Sequence, residues 1–233
     1  MNIALVLAGG TGTRLGTDIP KQYLKVKDKM IITYCLETFL QLEYIDAVVV
    51  VADLVWQGDI CADMKRAVNA SDQSKFRGFS CPGANRQMSI YNGLESILKF
   101  AHRDAKVLIH DAARPLISKE LLSRCFSAYE GHDGVMPVLP MKDTVYMSQD
   151  GQKVASLLQR ECVFAGQSPE LFNLGKYYDA CKALLPDKIL CINGSTEPAI
   201  MEGLDIAMVS GDEKNFKITT LEDLDRFCKL VEG

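Results

Sequence analysis

The chain has no Cys-x-x-Cys pair among its eight cysteines, and its three histidines, His102, His110 and His132, lack the spacing of a ligand set. These absences speak against a disulfide framework and against a zinc site, and leave the expectation of a reduced chain with small buried thiols. No apolar run approaches the roughly 20 residues that a membrane-spanning helix needs. No leader-like segment precedes the first apolar stretch, so a cytoplasmic location is expected. Internal repeats, low-complexity tracts and Gly/Ser or Pro-rich linkers are also missing. A net charge of −4 leaves no basic excess to neutralise a nucleic-acid backbone, which points to a small ligand instead.

What is present is ordinary for a globular protein: 233 residues, 48% apolar and 24% charged, enough for one sizeable core and read as a single domain over 1–233. Strand-like runs alternate with helix-length amphipathic segments. Ile3–Leu7 precedes a helix over Met30–Leu42, Ala47–Ala52 one over Trp56–Asn69, Phe76–Cys81 one over Arg86–His102, and Val107–Ile109 one over Ser118–Tyr129. Such alternation predicts an α/β fold of Rossmann-like type, with a mostly parallel sheet, helices on both faces and ligands at the carboxyl ends of the strands. The second half breaks the pattern. Gly134–Val138, Thr144–Met147 and Lys153–Leu158, the last two around a Gln149-Asp150-Gly151 turn, read as a protruding β-hairpin arm at about 141–161. Val209–Ile218 reads as a loop entering a last short strand, and Thr219 or Thr220 as the cap of a terminal helix.

The first strand runs straight into Ala8-Gly9-Gly10-Thr11-Gly12-Thr13-Arg14-Leu15-Gly16, then Pro20-Lys21-Gln22. Glycines free backbone N–H groups to approach phosphate oxygens, and Arg14 and Lys21 add two cations, so the loop reads as a nucleoside triphosphate site. Two commoner phosphate loops are excluded. The dinucleotide fingerprint would need glycine where Leu15 stands, and the Walker A loop would need Gly-Lys-Ser/Thr. A second strand end carries His110-Asp111-Ala112-Ala113-Arg114-Pro115.

Seven motifs follow in order: L-A-G-G-x-G-x-R-L-G, P-K-Q-Y-L, G-x-x-R-x-x-S (Gly83, Arg86, Ser89), H-D-A-A-R-P, K-D-T (Lys142–Thr144), G-Q-S-P-E-L-F from Gly166, and N-F-K-I-T-T-x-E-D-L. The set resembles the 2-C-methyl-D-erythritol 4-phosphate cytidylyltransferase family, whose close relatives make CDP-ribitol and other CDP-polyols. The resemblance implies a nucleotidyltransferase fold and transfer of CMP from CTP to a phosphorylated acceptor with a divalent cation such as Mg²⁺. It implies CTP binding by Ala8, Gly9, Gly10, Gly12, Thr13, Arg14, Lys21, Gly83, Arg86, Ser89, Asp111 and Ala112, with Asp111 on the metal. Arg14, Lys21 and Lys217 would be catalytic. Arg114, Thr144, Arg160, Ser168 and Lys217 would serve the acceptor, Arg160 reaching a neighbouring subunit in a homodimer, and Ser168 stands where the family usually has threonine.

Two departures bear on the acceptor. The family's T-D-E or S-D-A segment is replaced by Asn193-Gly194-Ser195-Thr196-Glu197, with Ser195 at about the aspartate position. The cytosine-side stretch Gly83-Ala84-Asn85-Arg86 also differs from G-G-D-E-R. Both favour an alditol phosphate, such as ribitol or glycerol phosphate feeding surface-polymer synthesis, over methylerythritol phosphate of isoprenoid synthesis. Two alternatives come from other classes: a protein that binds nucleotide without turnover, and an NAD-binding oxidoreductase, which the missing third glycine disfavours.

Overall fold

The computed structural model describes residues 1–10 and 19–232. The first half of the chain runs β1 (Asn2–Leu7), a short ribbon of β2 (Lys25–Val26) and β3 (Lys29–Met30), α1 (Ile31–Gln41), β4 (Ala47–Val51), α2 (Leu54–Ala67), the single turn α3 (Ala70–Gln73), β5 (Phe76–Ser80), α4 (Arg86–Leu98), β6 (Lys106–Asp111) and α5 (Lys119–Ser127). The second half runs β7 (Gly134–Pro140), β8 (Tyr146–Met147), β9 (Ser156–Leu157), β10 (Phe164–Gly166), β11 (Glu170–Asn173), α6 (Leu174–Lys182), α7 (Glu197–Met201), β12 (Ile206–Ser210) and α8 (Leu221–Glu232).

β1 lies at the centre, with β4 and then β5 parallel to it on one side and β6 parallel on the other. The strand order therefore reverses between β1 and β6, and the crevice at their carboxyl ends is where an open α/β sheet takes its ligand. Register makes that crevice compact, because Leu7, the last residue of β1, stands level with both Val51 and Asp111. Beyond β6 the sheet turns antiparallel through β11, and β7 carries β10 and β11 along one edge and β12 along the other.

Alternation along the buried strands sends successive side chains to opposite faces. Ala4 and Val6 of β1 join Leu36 and Phe39 of α1, Met64 of α2 and Leu121 of α5 in one core. Ile3 and Leu5 join Ile90 and Leu94 of α4 and Tyr177 of α6 in the other. The expectation of helices on both faces thus holds. A smaller cluster seats Phe227 of α8 against Val26, Ile31 and Ile218. The N-terminus of α1 has no cap of its own. Asp63, buried on α2, accepts from Met30 N at 2.8 Å and Thr33 Oγ1 at 2.6 Å, satisfying donors that the helix start leaves open.

Several sequence expectations need correction. α4 ends at Leu98, four residues short of His102. The last strand, β12, ends at Ser210 and so precedes most of the Val209–Ile218 stretch; among the described residues no strand follows it, and the loop is docked by the bond from Ile218 N to Ala113 O, 2.8 Å. The strands β10 to β12 and the helices α6 and α7 carried too little periodicity to be anticipated. Only Cys35, Cys125 and Cys181 are buried, while Cys81, Cys162 and Cys191 are exposed, and all eight cysteines are free. Gly134–Val138 belongs to β7 of the main sheet and not to the arm, which is a separate two-stranded ribbon in which Tyr146 faces Leu157 and Met147 faces Ser156. Among the described residues no helix is long and apolar enough to cross a membrane.

Candidate active site

A cavity of about 450 Å³ opens at the carboxyl ends of β1 and β6. Leu7, Gly9, Gly10, Lys21 and Gln22 line one side, Gly83, Ala84, Asn85, Arg86 and Ser89 the second, and Asp111, Ala113 and Lys217 the third. The glycine loop is held from below. Gln22 Nε2 donates to Ala8 O and Gly10 O at 2.5 and 2.7 Å, and Tyr23 Oη donates to Ala8 O at 2.7 Å. Gly9 and Gly83 are required by close approach. A Cβ on Gly9 would sit 2.6 Å from Pro82 Cγ, and one on Gly83 would sit 2.4 Å from Met88 Cβ. Gly9 thus seats the glycine loop on the Pro82 loop, and Gly83 seats that second loop on the start of α4, so a side chain at Gly9 would force the two loops apart and one at Gly83 would lift its loop from α4.

The N-terminus of α4 opens on the same cavity. Asn85 caps it by accepting from Met88 N at 2.8 Å, and Ser89 Oγ accepts from Gly83 N while donating to Asn85 O, each at 2.9 Å. A capped helix start with its dipole directed at the cavity favours a bound anion.

Asp111, at the end of β6, is the one carboxylate among the described residues lining the cavity. Arg86 donates to its Oδ1 through Nε at 3.1 Å and Nη2 at 2.9 Å, Lys217 Nζ donates to Oδ2 at 2.9 Å, and Arg114 Nε stands 4.0 Å from Oδ2. Burial would raise the Asp111 pKa, but Arg86, Lys217 and Arg114 outweigh it and hold the carboxyl well below its usual range. Behind it the loop is braced. Ser168 Oγ accepts from Asp111 N at 3.1 Å, Asn215 Nδ2 donates to Ser168 O at 2.7 Å, and Arg114 Nη1 donates to Asn215 O at 2.7 Å. His110 is fully buried, edge-on to Phe39 and 3.0 Å from Arg114 O through Nε2, and burial lowers its pKa to about 4. It stays neutral and structural. A further carboxylate, Glu170, is pushed up to about 6 by burial, against the pull of Arg86 and the bond from Ser195.

Across residues 2–231 the chain matches the family model described as "IspD: 2-C-methyl-D-erythritol 4-phosphate cytidylyltransferase". The chain belongs to this cytidylyltransferase family. It is 32% identical over 234 residues to a ribitol-5-phosphate cytidylyltransferase of Streptococcus agalactiae serotype III (strain NEM316), covering 100% of this chain and 96% of that one. It is equally 32% identical, over 223 residues, to a 2-C-methyl-D-erythritol 4-phosphate cytidylyltransferase of Geobacter metallireducens (strain ATCC 53774 / DSM 7210 / GS-15), covering 95% and 93%. A solved 4-diphosphocytidyl-2C-methyl-D-erythritol synthase superposes with a TM-score of 0.77 at 26% identity, covering 99% of this chain and 98% of its own. The nucleotidyltransferase fold expected from the sequence is therefore the fold observed.

Of the residues expected to serve the cytidylyltransferase site, Gly9, Gly10, Lys21, Gly83, Arg86, Ser89, Asp111 and Lys217 meet in the cavity. Gly12, Thr13 and Arg14 lie outside the described residues. Ala8 and Ala112 are buried beneath it, with Ala8 N donating to Val51 O and Ala112 N to Leu7 O. Ser168 and Arg114 support Asp111 from behind instead of lining the cavity. Thr144 and Arg160 are exposed on the arm, where Arg160 Nη1 donates to Lys142 O at 3.1 Å, and neither lines this chain's own cavity. The sequence reading missed Gln22, Asn85, Glu170 and Asn215 as supports, although each lies inside or beside a quoted motif. Tyr177 had no signal at all.

Among the described residues no group of three or more His, Cys, Asp or Glu side chains could hold a metal ion. One buried carboxylate is nevertheless what Mg²⁺ commonly takes from a protein when triphosphate oxygens and waters complete its octahedron. The donor set thus suits an ion that arrives with the nucleotide.

Proposed function

We propose that the chain transfers CMP from CTP to the phosphate of a small polyol phosphate, with ribitol or glycerol phosphate favoured, releasing pyrophosphate and giving a CDP-alditol for surface-polymer synthesis. The observation that carries this reading is the cavity itself, where a helix N-terminus, Lys21, Arg86 and Lys217 surround one carboxylate at the point of strand reversal. An acceptor phosphate is already nucleophilic at neutral pH, so no general base is needed. A bond forms from an acceptor phosphate oxygen to the α-phosphorus of CTP, and the bond to the β-phosphate bridging oxygen breaks.

The chain's own residues supply position and charge. Gly9, Gly10 and the start of α4 receive phosphate oxygens, and Lys21 meets the negative charge that grows at the α-phosphate. Lys217 leaves Asp111 for the acceptor phosphate. Magnesium bound at Asp111 would neutralise the departing pyrophosphate. Thr144 and Arg160, exposed on the arm, serve the acceptor phosphate of a second subunit in a homodimer.

Support for an alditol phosphate comes from the segment around Ser195. Its hydroxyl is buried and donates to Glu170 Oε1 at 2.5 Å, so it offers no carboxylate to the usual acceptor hydroxyls. Pyrophosphate release with CTP and Mg²⁺ against methylerythritol, ribitol, glycerol, erythritol and sugar phosphates tests the reading. Turnover with ribitol or glycerol phosphate is expected. Turnover with methylerythritol phosphate alone would move the enzyme to the isoprenoid branch, and CTP binding with no turnover on any acceptor would remove the catalytic reading.

A further inference from the structure

Four buried side-chain polar atoms among the described residues lack a hydrogen-bond partner: Tyr44 Oη, Arg114 Nε, Glu170 Oε2 and Asn215 Oδ1. The last three belong to the group of side chains packed behind Asp111. Buried polar atoms are satisfied in the great majority of cases, so three unpaired ones grouped beside a reaction site call for a partner.

The charges there are shared unevenly. Arg86, Arg114 and Lys217 are all attracted to Asp111, which takes every direct ion pair of the group, whereas Glu170 attracts Arg86 and Arg114 and holds neither. Glu170 stands one strand from Asp111, on β11 opposite Ile109 of β6. It does not line the cavity, whereas Arg86 and Asp111 do, so it lies in the layer behind them. Its posture is fixed. Gln87 Nε2 donates to Tyr177 Oη at 3.1 Å, Tyr177 Oη donates to Ser195 O at 2.6 Å, and Ser195 Oγ donates to Glu170 Oε1. The residue after Arg86 is thus tied, through Tyr177 and Ser195, to one oxygen of Glu170 while the other oxygen stays open.

We propose that Glu170 is a positioning residue, the second seat of the Arg86 guanidinium: Arg86 rests on Asp111 in the free chain and passes to Glu170 Oε2 when Asp111 turns to the magnesium ion brought by the nucleotide. This rests on the cytidylyltransferase reading above. Arg86 places two N–H groups on Oδ1 and Lys217 one on Oδ2, so once Lys217 has gone to the acceptor phosphate a metal can take Oδ2, and it is Oδ1 that Arg86 must leave before the carboxylate can turn fully to the ion. A part-buried guanidinium stays charged and needs another anion. Glu170 supplies that anion without leaving the cluster, and the transfer satisfies its orphaned oxygen.

Titration calorimetry of CTP with and without Mg²⁺, on the wild-type chain and on Glu170→Gln, tests the proposal together with a crystal structure of the wild type with CTP and Mg²⁺. The variant is expected to lose about tenfold in affinity for Mg·CTP while binding of metal-free CTP stays within about twofold. In the crystal Arg86 should lie within hydrogen-bond distance of Glu170 Oε2. An unchanged ratio of the two affinities in a folded variant overturns the proposal. So does a crystal in which Arg86 remains on Asp111 or turns to a phosphate, and this second arm stands even if Glu170→Gln does not fold. A wild-type chain that binds no CTP under either condition overturns the nucleotide reading and this proposal with it, whereas intact CTP binding with unmoved Arg86 overturns this proposal alone.

Discussion

Asp111 is held by cations on both oxygens, and its charge is what those cations need in return. Asp111→Asn keeps the shape and removes the charge, so turnover should fall by roughly 10²-fold or more while the secondary structure by circular dichroism is kept. Turnover within about threefold of wild type would take Asp111 out of the mechanism. His110 offers a second residue-level test. Its folded pKa, about 4, lies below the ordinary value of 6.5, so between these values the unfolded chain binds the extra proton and stability falls as pH is lowered. The His110 contribution to this loss is on the order of 3 kcal/mol. Glu170 acts in the opposite sense, because its raised pKa of about 6 makes the folded state the stronger proton binder between 4.5 and 6. Urea unfolding from pH 7 to 4 should therefore show a decline in stability that flattens in His110→Asn. A variant with the wild-type slope would refute the assignment.

At the scale of elements, the arm and the start of α4 make separate claims. The ribbon of β8 and β9 is two-stranded and leaves Tyr146 57% and Leu157 63% exposed, together with Val154. Two strands alone are marginal in water, so this surface should be covered by a second copy of the chain. Light scattering should report a dimer, and Leu157→Asp should give a monomer without large loss of helix content. Mixing Asp111→Ala chains with Arg160→Ala chains should restore part of the activity, since one composite site in the mixed dimer carries neither lesion. No recovery after confirmed exchange would sink the shared site. At α4, Ser89→Ala leaves the Gly83 N–H without its acceptor. It should cost about 1 to 2 kcal/mol of stability and weaken CTP binding more than acceptor binding, as separate titrations would reveal.

At the scale of the molecule, the site spans the crevice between β1 and β6 and draws on α4 and the loop before α8, so ligand binding should stabilise the whole domain. CTP at about 100 times its dissociation constant should add about 2.7 kcal/mol to folding, visible as a raised melting temperature. GTP at the same concentration should give a much smaller shift, and equal shifts would remove cytosine selectivity from the reading.

The sequence alone determined the strand–helix alternation, because β1, β4 and β6 are nearly continuous apolar runs and their helices carry a clear period. It also determined the glycine-rich loop and the turn before α4, since Gly9 in the first and Gly83 in the second occupy positions where a Cβ would collide, and a steric requirement of that kind is written in the residue type. The sequence further located Lys21, Arg86, Asp111 and Lys217, each inside a compact motif. It left the grouping of Glu170, Ser195, Tyr177 and Asn215 unread, although Ser195 stood out by itself and Glu170 and Asn215 lie inside motifs. Their roles depend on partners 18 to 47 residues away, such as Tyr177 on Ser195, Glu170 on Ser195 and Asn215 on Ser168. No local pattern encodes such pairings. Strand order decided them, by laying β11 antiparallel beside β6 and so setting a second buried carboxylate behind the first.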